Sequence, residues 1–325
     1  MTEQATTLTS AAAVRGPLAM EAISVSKDFR IGRHQTLHAV RDVSFNLYQG
    51  AVVALVGESG SGKSTAARLL AGQERLTSGV IKLDGKQVQV TSRSDFRRYK
   101  SRVQLVFQDP FSSLNPVHTV RYHIERPVKL HQGKSVKVDD EVAALMEQVR
   151  LTPAKHFLDK YPYELSGGQR QRVSFARALA AHPKVLLADE PVSMLDVSIR
   201  LEMLNLLDDL RKRFRLAMLY ITHDIASAPD PDNLGSTLRS STYRSSIHRD
   251  TTPRQGSHAP KHPQAATSVG CPFSPRCPFA DDRCRQEDPP LMQISATRGA
   301  ACWRLDVAAP ELVSGLAEGG RTTAN

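Results

Sequence analysis

Apolar residues recur along this chain with two periods, and the changes between them mark its elements. Ile23 and Val25, then Val43, Phe45 and Leu47, fall on alternate positions, the pattern of strands with one covered face. Ala51 to Val56 is continuously apolar, and so is the Val-Leu-Leu-Ala run from Val185 that ends in Asp189 and Glu190; both predict buried strands. Further buried strands are expected from Arg102 to Phe107 and from Leu216 to Thr222. Helices are expected from Lys63 to about Leu70, with Gly72 just beyond, and from Gly168 to Ala181, with Pro183 beyond. Ile199, Met203, Leu206, Leu207 and Leu210 form the stripe of a longer helix. Asp84-Gly85, set between two short alternating runs, predicts a hairpin turn.

These patterns divide the chain. Residues 1–18 carry Thr, Ala and Ser without a period and read as disordered. Residues 19–228 read as one α/β domain, with a helical subdomain inserted at about 115–165, where Val142, Leu145, Met146 and Val149 keep helical spacing. The pattern stops at Ala228. Residues 229–270, rich in Pro, Ser, Thr, Arg and Gln, read as linker or disorder, 271–303 as a small Cys/Pro-rich module, and 304–325 as a tail.

Composition changes this picture little. With 325 residues, 40% of them hydrophobic, the chain can bury a normal core and hold one large domain plus a tail. Met1 to Met20 has neither a basic start nor a continuous apolar stretch, so no signal peptide is expected. No apolar run approaches the roughly eighteen residues of a membrane span. The expectation is a soluble protein, with any membrane role passing through partner chains. A net charge of +10 raises nucleic acid as a partner. Basic charge alone is a weak sign, however, and no RNA-binding sheet motif or zinc finger accompanies it. Nucleic acid is therefore not expected, and the charge reads as a solvated surface or one near anionic headgroups.

The chemistry concentrates in three stretches. Residues 57–65, Gly-Glu-Ser-Gly-Ser-Gly-Lys-Ser-Thr, follow an apolar strand and open a helix, the setting of a phosphate loop. Gly57, Gly60 and Gly62 let the backbone wrap phosphates, with Ser59 inside the wrap, and the helix N-terminus adds positive potential. Lys63 brings a full charge, Ser64 a hydroxyl suited to Mg²⁺, and Thr65 a hydrogen bond to phosphate. Asp189 ends its apolar strand, which would fix its carboxylate toward Mg²⁺ or a metal-bound water. Alternation would send the next side chain to the other face, so Glu190 must stand where the strand gives way to a loop. Leu165-Ser166-Gly167-Gly168-Gln169 places a glycine turn at a helix start, a second site for an anion.

Together these stretches resemble the ATP-binding cassette (ABC) family. The resemblance implies a P-loop NTPase core of the ABC type that binds ATP and Mg²⁺ and hydrolyses ATP to power a membrane importer. It implies that Glu190 polarises the attacking water, with His223 as a switch residue and Gln108 reaching Mg²⁺ and the water. Mg²⁺ would be held by Ser64, Gln108 and Asp189, and Phe29 would stack on adenine, although a core position suits a Phe as well. Ser166, Gly167, Gly168, Gln169 and the loop ending at Asp196 would close on ATP held by a second ATPase subunit, in a homo- or heterodimer. Met194 stands where the family has Ala, a change of packing. Two integral membrane permease subunits and an extracytoplasmic substrate-binding protein would complete the complex, at the cytoplasmic face of the membrane.

Asp109-Pro110-Phe111-Ser112-Ser113-Leu114-Asn115-Pro116 and Tyr161-Pro162-Tyr163-Glu164 are similar to the branch that imports oligopeptides, dipeptides or nickel. The four cysteines, Cys271, Cys277, Cys284 and Cys302, lie within one short stretch, and such clustering favours a thiolate metal site. The resemblance to the C-terminal extension of that branch implies a 4Fe–4S cluster first and zinc second; reduced, unligated thiols are the alternative. Beyond Ala228 the likeness lapses, as though the family's next strands and helix were absent. That predicts an exposed edge on the His223 strand and a looser placement of His223, with hydrolysis impaired. A soluble cassette outside transport and a nucleotide-binding but hydrolysis-impaired cassette are the competing readings.

Overall fold

The computed structural model describes residues 16–31, 35–56, 60–133, 136–223, 237–239, 271, 274, 279–287, 292–295, 298–300 and 303. Its strands are β1 (Leu18–Ile31), β2 (Gln35–Tyr48), β3 (Val52–Val56), β4 (Ser78–Leu83), β5 (Lys86–Gln87), β6 (Val103–Val106), β7 (Val185–Asp189), β8 (Ala217–Thr222), β9 (Thr237–Arg239), β10 (Met292–Ser295) and β11 (Arg298–Ala300). Its helices are α1 (Lys63–Leu70), α2 (Arg93–Arg102), α3 (Pro110–Ser113), α4 (Val120–His131), α5 (Val138–Gln148), α6 (Lys155–Leu158), α7 (Gly167–Leu179), α8 (Val197–Phe214) and α9 (Asp282–Gln286). The chain divides into two compact units. The first is Met1–Glu21, Asn46–Val53 and Lys82–Leu219, and the second is Ala22–Phe45, Ala54–Ile81 and Tyr220–Asn325.

In the first unit the strands run β3–β8–β7–β6, with β6 and β7 parallel from Val103 beside Val185 to Val106 beside Ala188. Every residue of β7 and β8 is buried, as expected of apolar strands covered on both faces. The helices α4, α5 and α7 pack against one another and bury Val120, Ile124, Val128, Val142, Leu145, Met146, Val173 and Phe175, with α7 also against β6. This is the inserted helical region, and the Leu and Val positions that predicted it are its core. Full burial of such side chains stabilises by about 1.5–3 kcal/mol each.

Local chemistry sets the ends of these elements. Ser92 and Asp95 form a capping box at the start of α2, and the Thr119 hydroxyl accepts from Tyr122 N at the start of α4. The expected hairpin joins β4 to β5: Asp84 and Gly85 both take positive φ, 49° and 74°, as a two-residue turn of this hand requires. The Asp84 carboxylate also pairs with Arg102 and accepts from Lys184 at 2.9 Å, fixing the turn to the strands that follow.

In the second unit the strands run β10–β11–β9–β3, with β9 parallel to β3 from Thr237 beside Ala54 to Arg239 beside Val56. There α1 buries Ala66, Ala67, Leu69 and Leu70, while Val25, Val40, Val43 and Phe45 supply the inward positions of β1 and β2.

Three expectations need correction. The stretch read as linker contains β9, because three residues suffice to pair with β3 whatever their composition. Gly16 to Leu18, read as disordered, are held in place: Pro17 O accepts from Gln49 N at 2.9 Å, and a Cβ at Gly16 would lie 2.3 Å from Gln49 O. The His223 strand presents no edge, since β8 lies between β3 and β7. Residues 1–15 and 304–325 lie outside the described residues.

Candidate functional site

In the second unit, β3 runs to Val56 and α1 opens at Lys63; Gly57 and Ser59 lie outside the described residues. Gly62 caps α1 with φ 88° and ψ 4°, and no side chain caps the helix N-terminus. The first-turn N–H groups are therefore not taken up by a capping side chain, and about half a positive charge gathers there. Glycine at 62 is obligatory on two counts. Its φ is left-handed, and a Cβ would sit 2.0 Å from Ala39 O, a backbone atom that cannot turn away. Gly60 has φ 81° with open space around it, so conformation alone requires glycine there. Lys63 is 4% exposed, with its ammonium 3.4 Å from Ser61 Oγ, and Ser64 and Thr65 are half-buried in the first turn.

Phe29 is half-buried on β1, and Lys27 Nζ lies 4.7 Å above its ring. That ammonium donates to Arg75 O at 2.9 Å and pairs with Glu74 at 3.2 Å. One face of the ring is thus turned to a cation. Lys27 escaped the sequence reading, although strand alternation, which sets 27 and 29 on one face, was a usable signal. His223 follows β8 and is exposed.

In the first unit, Asp189 ends β7 and is 5% exposed. Glu190 departs from strand geometry with φ 46°, which rotates its side chain out of the alternation that would oppose it to Asp189. Parallel pairing explains what it meets. Val106 is level with Ala188, so two residues further on Gln108 is level with Glu190. There Gln108 Nε2 donates to Glu190 Oε2 at 2.7 Å. The turn after Glu190 is held by Ser193, whose hydroxyl and N–H both donate to Glu190 O, at 3.0 and 3.3 Å. Met194 is 58% exposed, Leu195 is buried, and exposed Asp196 precedes α8.

The serine–glycine turn opens α7. Ser166 Oγ accepts from Gln169 N at 3.3 Å, and Gln169 Oε1 accepts from Ser166 N at 3.0 Å, a capping box that sets the angle at which the chain enters the helix. A Cβ on Gly168 would lie 2.9 Å from Ile199 Cγ2, so α8 packs directly on this turn; on Gly167 it would meet only Leu195 Cδ2 at 3.7 Å, an ordinary contact.

Of the cysteines, Cys271 and Cys284 are described, and Cys277 and Cys302 are not. Cys271 N donates to Cys284 O at 2.8 Å, and Asp281 caps α9 by accepting from Cys284 N at 2.9 Å. Burial pushes the Cys284 thiol above its ordinary range. Among the described residues no three His, Cys, Asp or Glu side chains are placed to hold a metal ion.

Residues 40–193 match the family model described as ABC transporter. A probable peptide ABC transporter ATP-binding protein of Sinorhizobium fredii is 38% identical over 82% of this chain and 82% of its own. A di/tripeptide transport ATP-binding protein of Pseudomonas aeruginosa is 40% identical, covering 83% and 90%. An oligopeptide transport ATP-binding protein of Bacillus subtilis is 34% identical, covering 81% and 88%. Among solved structures, CbiO1 of Clostridium perfringens, part of the ABC transporter complex CbiONQ, aligns with a TM-score of 0.59 at 26% identity, over 68% of this chain and 84% of its own. A dimeric ATP-binding cassette in a post-hydrolysis state with ADP and Pi aligns with a TM-score of 0.58 at 28% identity, over 64% and 90%.

Proposed function

This chain belongs to the ABC transporter ATP-binding family, and from that premise we propose that it hydrolyses ATP to drive an importer of di- or oligopeptides. The observation that carries the chemistry is the Gln108–Glu190 hydrogen bond at the level ends of β6 and β7. A carboxylate fixed by an amide keeps one orientation, as a group that must aim a water molecule requires. The cargo reading is supported by relatives named for peptide transport that align with about four-fifths of the chain.

In this reading Lys63, Thr65 and the backbone of Gly57, Ser59, Gly60 and Gly62 bind the phosphates of ATP, and Phe29 takes the adenine on the ring face away from Lys27. Ser64, Gln108 and Asp189 offer oxygen ligands of the hard type that suits Mg²⁺, whose charge, when bound, offsets that of the phosphates. Gln108 fits that part well: its amide nitrogen is committed to Glu190, which leaves its carbonyl oxygen as the ligand. Glu190 draws a proton from the attacking water, and His223 steadies the terminal phosphate. Ser166, Gly167, Gly168, Gln169 and Asp196 address the nucleotide of a second ATPase subunit.

The complex would contain two membrane permease subunits and a substrate-binding protein. No helix among the described residues is long and apolar enough to cross a membrane. We place the chain at the cytoplasmic face, bound through the permeases. In this proposal Cys271, Cys277, Cys284 and Cys302 surround a 4Fe–4S cluster, or zinc as second choice, although β10 and β11 of the same stretch join the sheet beside β9. Iron-reconstituted protein should then absorb in the visible; a colourless, metal-free product would retire the module's metal.

The test of the main reading is reconstitution with the permeases in liposomes. ATP hydrolysis should rise when peptide-loaded binding protein is enclosed. Nucleotide binding without turnover would establish the hydrolysis-impaired alternative, and turnover indifferent to the permeases would establish a cassette outside transport.

A further inference from the structure

Arg177 belongs to none of the motifs above. It stands on α7 about three turns beyond Ser166, and its Nη1 donates to Ser113 O at 2.5 Å. Ser174, one turn earlier on the same side of the helix, places its hydroxyl 3.3 Å from Ser113 Oγ and donates to Arg170 O at 3.2 Å. Ser113 closes α3, the short helix that begins two residues after Gln108. Its own hydroxyl turns back to Pro110 O at 3.2 Å, which tightens that helix into one turn. Two residues further on, Asn115 O accepts from His123 Nε2 at 3.0 Å, since a carbonyl can only accept. Burial lowers the His123 pKa, against the raising effect of this hydrogen bond to Asn115, and the nearby Arg177 charge acts in the same direction as burial.

The strap from Gln108 to Asn115 is therefore fastened at both ends. Its front is held by Glu190, and its rear by Arg177 on α7 and His123 on α4. The grip of Arg177 is costly. Its guanidinium is half-buried, burial lowers its pKa, and among the described residues no carboxylate lies within ion-pair distance. A Leu or Met would fill the space without a desolvated charge, so packing does not explain an Arg here.

We infer that Arg177 is a positioning residue, whose hold on Ser113 O ties the Gln108 strap to the helix that carries the serine–glycine turn. The inference rests on the roles given above to Gln108 and Glu190, and it deepens them. Gln108 meets Glu190 at the correct level only while α7 is seated against α3. A displacement of α7, such as closure of its first turn on a partner's nucleotide would impose, reaches the water-aiming carboxylate through one carbonyl.

The experiment compares the full chain with Arg177→Met, Arg177→Lys and Ser174→Ala by backbone hydrogen exchange, together with Mg-ATP binding and single-turnover hydrolysis. Arg177→Met should raise exchange across 108–115 by about tenfold while β6 and β7 keep wild-type protection, because one charge-assisted hydrogen bond is lost locally. Affinity for Mg-ATP should stay within about twofold and the hydrolytic step should slow by about tenfold, with no further slowing in a Gln108→Ala background, as expected of residues acting as one unit. Arg177→Lys, which keeps one donor, should recover most of the protection, and Ser174→Ala should give a smaller effect of the same kind.

Wild-type exchange in Arg177→Met overturns the proposal. So does exchange raised equally over β6 and β7, or slowing that adds to that of Gln108→Ala. If Arg177→Met does not fold, Arg177→Lys and Ser174→Ala decide by the same readings. Wild-type protein that binds ATP without turning it over would count against the hydrolytic reading alone, and the exchange measurement would still decide the tether.

Discussion

Two glycine turns open two helices in this protein, and they are built on opposite principles. At α1 the cap is Gly62 in a left-handed conformation, with no side chain closing the helix end. At α7 the cap is Ser166, whose hydroxyl takes the Gln169 N–H while Gln169 reaches back in return. No side chain closes the first turn, at the expense of local stability, and the second stabilises itself. The glycines differ accordingly. Gly62 is demanded by the Ala39 backbone, Gly168 by the Ile199 side chain, and Gly167 by nothing nearby among the described residues. One residue type thus answers to conformation at Gly62 and to packing at Gly168, while at Gly167 the described residues make no such demand.

Substitution should separate these cases, and the largest effect belongs to Gly62→Ala. With 2.0 Å to a backbone oxygen and a φ of 88°, the variant should lose more than about 2 kcal/mol of stability. Calorimetry should find its Mg-ATP binding abolished; normal binding would show that the loop does not need the close approach. Next comes Glu190→Gln, which should slow turnover by on the order of a hundredfold while leaving ATP affinity intact. Unchanged turnover would remove Glu190 from its assigned role.

Gly168→Ala should cost about 1–2 kcal/mol, because a branched side chain in a packed interface can give way only in part. Thermal melting should show recovery in Gly168→Ala/Ile199→Ala, which vacates the position the new Cβ needs. Failure to recover would mean that the glycine serves the backbone after all. Smallest in stability is Gly167→Ala, expected to raise rather than lower it by a few tenths of a kcal/mol, as Ala replaces Gly in a helix. If the same variant still prevents Mg-ATP from pairing two Glu190→Gln subunits in sedimentation, the demand for glycine comes from the partner.

Much of this was readable from the chain. The Lys63–Leu70 helix, the Asp84-Gly85 hairpin and the apolar strands leading to the phosphate loop and to Asp189 appear where period and turn chemistry put them. Glu190 was expected at a change from strand to loop, because alternation cannot place two adjacent acids on one face. The φ of 46° was not readable, since no rule of composition selects Glu for that region. Nor was the level pairing of Gln108 with Glu190, which depends on the register between β6 and β7, strands separated by the whole helical insertion.

β9 escaped for a different reason. A three-residue strand leaves no periodic trace, and its pairing depends on the edge of β3, far earlier in the chain. Arg177 escaped because its partner is a backbone carbonyl, and a carbonyl has no letter in the sequence.

The positive φ of Glu190 sets a trap for anyone seeking a hardier version of this protein. A non-glycine residue held there costs about 1 kcal/mol or more, and glycine would relieve that cost. Selection for heat tolerance alone should therefore reward Glu190→Gly early, and, with Glu190 in the role proposed above, each survivor would be sturdier and slow to hydrolyse ATP.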